Sequence, residues 1–149
     1  MEGEIGHVGQ ADQEDNDATD LYTRVDEAVD YLNATGVDAL AVSIGTAHGA
    51  YKSKPKLDFD RLTDLSTALP VPLVLHGGSG LSDDDFRRSI SCGISKVNIF
   101  TDLCLAGNKA MAEGLAAGEA YLTIRNRKVA EMKRAVMEKM ALFGCTGKA

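Results

Sequence analysis

The most constraining feature of this sequence is a regular alternation of short apolar runs with stretches of helical periodicity. Apolar runs lie at residues 38–44, 71–75 and 95–99, and residues 2–6 form a further short candidate strand. Near-continuous apolar runs are typical of buried parallel strands, and a spacing of roughly 25 to 35 residues matches one strand with its crossover helix. We therefore predict an α/β fold of about four βα units, with a parallel sheet and right-handed crossovers.

Helix ends can be read between these runs. Apolar residues with helical spacing begin at Leu21, preceded by Thr19 or Asp20 as a candidate cap, and stop near Gly36. Ser82 resembles the first residue of a capping box that opens the third helix. A C-terminal helix is expected at about residues 120–143, with a basic face that is best explained by contact with solvent.

Length, charge and cysteine content exclude several classes of protein. The 149 residues form one domain's worth of chain, well short of the roughly 250 residues of a full (β/α)8 barrel. A net charge of −6 argues against nucleic-acid binding. Three cysteines without paired spacing indicate neither a disulfide framework nor a cysteine zinc site. No apolar run approaches a membrane span, so we expect a cytoplasmic protein without a membrane partner.

Two histidines follow strands one βα unit apart. His48 comes after the run at 38–44, and His76 comes directly after the run at 71–75. Because parallel strands lie about 5 Å apart, both imidazoles are expected at the same end of the sheet, where a zinc ion takes such ligands. The alternative is that each histidine only makes hydrogen bonds within its loop. His7 has no comparable placement.

A glycine-rich loop and an acidic segment complete the candidate site. Residues 77–80, Gly-Gly-Ser-Gly, lie between a strand and a capped helix, an arrangement that binds anions through backbone amides; a simple tight turn is the alternative. Thr101 opens the next helix, where it either binds an anion in a similar way or only caps the helix. The carboxylates at 12–17 lie on a loop at 7–20 that we expect to be mobile, and a solvated acidic run is the alternative for them.

Together these motifs resemble the C-terminal half of the class II, metal-dependent ketose-bisphosphate aldolases, the family of fructose- and tagatose-bisphosphate aldolases. The resemblance implies the C-terminal half of a TIM (β/α)8 barrel, as a single partial domain over residues 1–149. The resembling segments are Glu2–Gly6, Gly36–Gly49, Leu57–Leu62, Pro72–Gly80, Lys96–Asn98 with Thr101, and residues 139–149.

The resemblance also implies roles for individual residues. His48 and His76 become ligands of Zn²⁺, and Glu4 matches a carboxylate near a second metal position. The acidic loop matches the segment with the catalytic carboxylate, for which Asp12 aligns best and Glu14 is its neighbour. The residues implied to bind dihydroxyacetone phosphate are Gly49, Gly77, Gly78, Ser79, Asn98, Ile99, Phe100 and Thr101.

The implied reaction is metal-dependent aldol cleavage or condensation of a ketose 1,6-bisphosphate, or a related ketose phosphate, giving dihydroxyacetone phosphate and an aldehyde. In this family a third zinc histidine and a catalytic aspartate lie on the N-terminal half of the barrel. We therefore expect the chain to need a complementary N-terminal half-barrel or a homo-oligomer. A non-catalytic half-barrel that binds sugar phosphates, and a metal-dependent sugar-phosphate epimerase or isomerase, are the alternatives.

Overall fold

Strands and helices alternate along the chain in the computed structural model, which describes residues 1–6, 9–10, 22–49 and 55–148. The strands are β1 (Glu2–Ile5), β2 (Gly9–Gln10), β3 (Ala39–Val42), β4 (Ala47–His48), β5 (Leu73–Leu75) and β6 (Ile94–Val97). The helices are α1 (Val25–Thr35), α2 (Phe59–Ala68), α3 (Asp83–Ser91), α4 (Thr101–Ala116) and α5 (Tyr121–Leu142). The chain forms two compact units, residues 1–99 and 100–149.

The first unit contains a four-stranded parallel sheet in the order β1, β3, β5, β6. Helices α1, α2 and α3 connect successive strands of this sheet, which confirms the predicted α/β class and its βα units. The central strand β5 is buried along its whole length, whereas the edge strands β1 and β6 carry exposed polar residues. A second parallel sheet pairs β2 with β4, and strands of two residues are too short to leave a pattern in the sequence.

The core of the first unit lies where the sheet meets its helices. Helix α2 contributes Leu62 and Leu65, and helix α3 contributes Phe86; all three side chains are fully buried. The predicted capping box of α3 is confirmed, since the Ser82 hydroxyl accepts from the amide of Asp85 and the Asp85 carboxylate accepts from the amide of Ser82.

The start of the first helix differs from the prediction. Helix α1 begins at Val25 rather than Leu21, and the candidate caps Thr19 and Asp20 lie outside the described residues. Thr23, just before the helix, is fully buried; its hydroxyl donates to the carbonyl of Ile5 and accepts from the amide of Ser43, at 2.8 Å in each case. The apolar periodicity therefore extends into a segment that joins the ends of β1 and β3. The predicted helix end is confirmed, because Gly36 closes α1 with a φ of 62°.

The second unit is a pair of antiparallel helices, α4 and α5. Gly107 of α4 packs against Met132 and Gly114 against Ile124, so the small residues of one helix accept the side chains of the other. An ion pair joins Lys139 near the end of α5 to Asp102 at the start of α4, at 3.1 Å. No helix among the described residues has the length and apolar character needed to cross a membrane.

Candidate functional site

The candidate site lies on the face of the sheet opposite α1, which we call the polar face and define by Glu2, Glu4, His76 and Lys96. Side chains alternate along a strand, so Glu2 and Glu4 share one face of β1 while Gly3 between them faces Tyr31 of α1. His76 directly follows β5, and Lys96 lies in the edge strand β6. The sheet therefore brings together charged residues that are up to 94 positions apart in the chain.

The imidazole of His76 is held between two carboxylates from β1. Its Nδ1 lies 3.1 Å from Oε1 of Glu4, and its Nε2 lies 3.2 Å from Oε1 of Glu2. The His76 side chain is only 15% exposed. Two carboxylates at the two ring nitrogens hold the position and the plane of the imidazole, and a carboxylate at one ring nitrogen is a common support for a histidine that binds a metal through the other.

Small residues on β3 allow these contacts. Strand β3 separates β1 from β5, and the register aligns Glu2 with Ala39 and Glu4 with Ala41, on the same face. Because residues aligned across neighbouring strands point to the same side, a large side chain at Ala41 would stand between Glu4 and the strand that leads to His76. Alanine leaves that space to the longer glutamate side chain.

Lys96 completes the polar face from the opposite edge of the sheet. Its Nζ donates to Oε2 of Glu2 at 2.7 Å. The hydrogen bond from Lys96 is the main cause that lowers the pKa of Glu2 from its ordinary value; His76 acts in the same direction, while burial opposes both. Glu2 is therefore held as a carboxylate, with one oxygen toward Lys96 and the other toward His76.

The glycine loop after His76 is shaped by close backbone contacts. Gly77 has a φ of +66°, and a Cβ there would lie 2.6 Å from the carbonyl oxygen of Ala47. A Cβ on Gly78 would lie 2.9 Å from the side chain of Val97 and 3.2 Å from the carbonyl of Asn98. The two glycines are therefore required for the loop to pack against Ala47 of β4 and the end of β6. Ser79 is buried beside them.

The positive end of α3 is already compensated by the chain itself. Asp85 closes the capping box, and Asp83 and Asp84 also lie in the first turn. Three carboxylates at a helix N-terminus neutralise the partial charge that would otherwise attract an anion. A phosphate near Gly77–Gly80 would therefore depend on the backbone amides of the loop more than on α3.

Four of the remaining predicted residues follow β6 in the sequence. Asn98 follows β6 and extends its ladder, since its amide donates to the carbonyl of Leu75 at 2.9 Å, and Ile99 ends the first unit. Phe100 and Thr101 belong to the second unit, where Thr101 begins α4 as predicted.

Three of the predicted residues are described only partly or not at all. Asp12 and Glu14, with most of the acidic loop at 7–20, lie outside the described residues. His48 ends β4, where it is in register with Gln10, and its side chain is outside the described part. Gly49 follows with a φ of +102°.

The donor set on the polar face suits a zinc ion. An imidazole nitrogen beside the Glu4 carboxylate offers the nitrogen and oxygen donors that zinc takes, and a second carboxylate on the other ring nitrogen is a common support for a zinc-bound histidine. Within the described residues no group of three or more histidine, cysteine or acidic side chains is already arranged around a metal position. His76 and Glu4 therefore fit as part of a larger ligand set.

Glu2 and Lys96 are functional candidates that the sequence reasoning missed. Both glutamates lie in the resembling segment Glu2–Gly6, but the resemblance implies a role for Glu4 alone. The available signal is the two-residue spacing of Glu2 and Glu4 in β1 and the presence of a lysine between Ile94 and Val97 in β6.

Comparisons of this chain with family models and with known proteins agree on one family. The family model described as fructose-bisphosphate aldolase class-II matches residues 1–148. The uncharacterized protein YdjI of Escherichia coli K12 is 43% identical over 150 residues, which cover 100% of this chain and 53% of YdjI. The chain therefore spans about half the length of this relative.

Solved structures share the fold. The crystal structure of the YdjI aldolase matches with a TM-score of 0.84 and 39% identity over 99% of this chain and 50% of that chain. A proposed fructose-1,6-biphosphate aldolase from Coccidioides immitis matches with a TM-score of 0.85 and 29% identity, over 99% and 53% of the two chains. The four parallel strands and five helices thus correspond to about half of an aldolase barrel. The chain belongs to the class II fructose-bisphosphate aldolase family.

Proposed function

We propose that the chain provides one half of a metal-dependent aldolase that cleaves or forms a ketose 1,6-bisphosphate, or a related ketose phosphate. The products of cleavage are dihydroxyacetone phosphate and an aldehyde. The observation that carries the proposal is the imidazole of His76, held by Glu4 and Glu2 directly before the Gly77–Ser79 loop. Family membership and the name of the YdjI aldolase support the reaction class.

Each group of residues has a distinct role in this proposal. His48 and His76 would hold Zn²⁺, with Glu4 as the carboxylate near a second metal position, and the bound zinc would supply a Lewis acid for the ketone oxygen of the substrate. The residues that bind and orient the dihydroxyacetone phosphate portion are Gly49, Gly77, Gly78, Ser79, Asn98, Ile99, Phe100 and Thr101. Fixing the phosphate orients the substrate so that its reacting carbon lies near the ligands of the metal. The carboxylate of Asp12 or Glu14 transfers the proton that the substrate gains or loses in the reaction.

The site needs residues beyond these 149. The relatives are about twice as long, and the described part of the chain contains no complete ligand set for a metal. We propose that the remaining zinc ligand and a catalytic aspartate come from a further half-barrel, supplied either by a longer chain or by another subunit. Full metal-dependent cleavage by a purified monomer of these 149 residues would contradict this part of the proposal.

A binding module without catalysis is a weaker explanation of the same site. Backbone amides are sufficient to bind a phosphate, and that function does not require an imidazole held at both nitrogens by carboxylates. An epimerase or isomerase would use the metal but would leave the carbon chain intact. The isomerase or epimerase therefore predicts a rearranged sugar and a dependence on metal. The binding module predicts no product and no dependence on metal.

The test measures triose phosphate released from fructose 1,6-bisphosphate and from tagatose 1,6-bisphosphate by the chain together with its complementary half-barrel, with zinc and with a chelator. We expect release that the chelator abolishes, and its loss in His76→Ala. Asp64→Asn, which removes an exposed carboxylate on α2, is the matched control and should retain activity. A rearranged sugar without triose phosphate would favour the isomerase. Phosphate binding that is unaffected by chelator and by His76→Ala would favour the binding module.

A further inference from the structure

We propose that Glu2 and Lys96 are positioning residues that orient the His76 imidazole. Glu2 holds Nε2 of the ring, so that Nδ1, next to Glu4, is left for the metal. This inference rests on the proposed function and adds two residues to it. Neither residue is needed as a metal ligand in this arrangement. Their role is to present the histidine in a single orientation.

The geometry forms a continuous chain of contacts. Nζ of Lys96 lies 2.7 Å from Oε2 of Glu2, Oε1 of Glu2 lies 3.2 Å from Nε2 of His76, and Nδ1 of His76 lies 3.1 Å from Oε1 of Glu4. The two oxygens of Glu2 therefore have different partners. With Lys96 holding one oxygen, the carboxylate cannot rotate without losing the ion pair, and its other oxygen stays at the ring nitrogen.

Global stability does not explain this arrangement well. The Lys96 side chain is 53% exposed, and ion pairs with such exposure contribute little to folding. Residues that hold the far nitrogen of a metal-binding histidine, by contrast, commonly change metal affinity by about 10-fold to 100-fold when they are replaced. The location of the pair beside His76 fits this second role.

A competing explanation is that Glu2 binds the metal itself, and Lys96 separates the two cases. If Glu2 is a ligand, Lys96 competes with the metal for its carboxylate, and Lys96→Met should strengthen zinc binding. If Glu2 positions His76, Lys96→Met releases Glu2 and should weaken zinc binding, although a repelling positive charge has been removed. The two explanations predict opposite signs.

The first measurement is zinc affinity by competition with a chromogenic chelator. We expect Glu2→Gln and Lys96→Met each to weaken zinc binding by about 10-fold or more, and Asp64→Asn to leave it unchanged. Equal or tighter binding in Lys96→Met would overturn the positioning role. Absence of zinc binding by the unsubstituted protein together with its complementary half-barrel would instead count against the metal in the proposed function.

The second measurement is independent of metal. Nitrogen-15 NMR of the metal-free protein labelled at histidine reports which ring nitrogen carries the proton, and His76→Gln assigns the His76 signals. We expect Glu2→Gln and Lys96→Met to shift the His76 ring nitrogen signals, and Asp64→Asn to leave them in place. Unchanged His76 signals in both variants, with native circular dichroism, would overturn the inference even if zinc binds.

Discussion

Gly77 lies directly against the backbone of Ala47, so that a Cβ on Gly77 would stand 2.6 Å from the Ala47 carbonyl oxygen. The φ of Gly77 is also positive. We expect Gly77→Ala to destabilise the protein by about 3 kcal/mol, because it combines an unfavourable backbone conformation with a steric overlap against rigid backbone. Urea unfolding followed by circular dichroism measures the change.

Gly36 provides the matched control. Its φ of 62° resembles that of Gly77, but a Cβ there would meet nothing within 4 Å. Gly36→Ala should therefore cost only the conformational penalty, about 1 to 2 kcal/mol. Equal costs at the two positions would show that the contact with Ala47 contributes nothing.

The Thr23 hydroxyl joins the carbonyl of Ile5 to the amide of Ser43 in a fully buried position. Thr23→Val keeps the shape and removes both hydrogen bonds, which we expect to cost about 2 to 4 kcal/mol because the buried amide of Ser43 and the partly buried carbonyl of Ile5 each lose a partner. Thr23→Ser keeps the hydroxyl and should cost less. Thermal unfolding of the two variants makes the comparison, and equal melting temperatures would contradict the role of the hydroxyl.

Asp58 caps α2 and makes folding depend on pH. Its pKa lies below the ordinary value because the carboxylate accepts from the Arg61 amide at 2.9 Å, and the Arg61 guanidinium acts in the same direction. A lowered folded-state pKa gives stability that is present above the unfolded value of about 3.9 and is lost as the pH falls through the folded value.

We expect Asp58→Ala to cost about 1 kcal/mol at pH 7, with the difference from the unsubstituted protein shrinking below about pH 4. Asp58→Asn retains an acceptor oxygen without a titrating group, so its stability should lack this contribution to the pH dependence. Urea unfolding at pH 7, 5 and 3 measures all three proteins. A difference that grows toward pH 3 would have the wrong sign.

The two glycines within α4 should respond differently to alanine. Alanine is favoured over glycine in a helix interior by about 1 kcal/mol. At Gly107 the new Cβ would lie 3.1 Å from Sδ of Met132, a flexible side chain, whereas at Gly114 it would lie 2.9 Å from Cγ1 of the β-branched Ile124. We expect Gly107→Ala to be neutral or stabilising and Gly114→Ala to be destabilising, as measured by melting temperature. The reverse order would contradict this packing.

Local chemistry explains which parts of the fold could be predicted. The capping box at Ser82, the helix end at Gly36 and the apolar strands each depend on neighbours a few positions away, so the sequence carries their signal directly. The predicted start of α1 is too early because Leu21 continues the apolar spacing. Thr23, however, makes hydrogen bonds to the end of β1 and to the residue after β3. These hydrogen bonds join Thr23 to residues that are 18 and 20 positions away in the sequence.

The candidate site was predictable to the extent that it follows strand ends. His76 and the glycine loop lie where parallel strands finish, and a pattern along one chain locates such positions. The partners Glu2 and Lys96 come from the two edge strands, and their meeting depends on strand order, on register and on the small side chains of Ala39 and Ala41. Periodicity contains none of this information.

The ion pair between Glu2 and Lys96 also indicates at which stage of folding this site forms. The two residues are 94 positions apart, so their meeting closes almost the whole first unit into a loop. Contacts of such high sequence separation form only after the intervening strands have paired, because the entropy of closing a long loop is otherwise uncompensated. During synthesis, His76 is fully held only once Lys96 has emerged from the ribosome and β6 has joined the sheet. We therefore expect the orientation of this histidine to be set late in folding, after these four strands have joined.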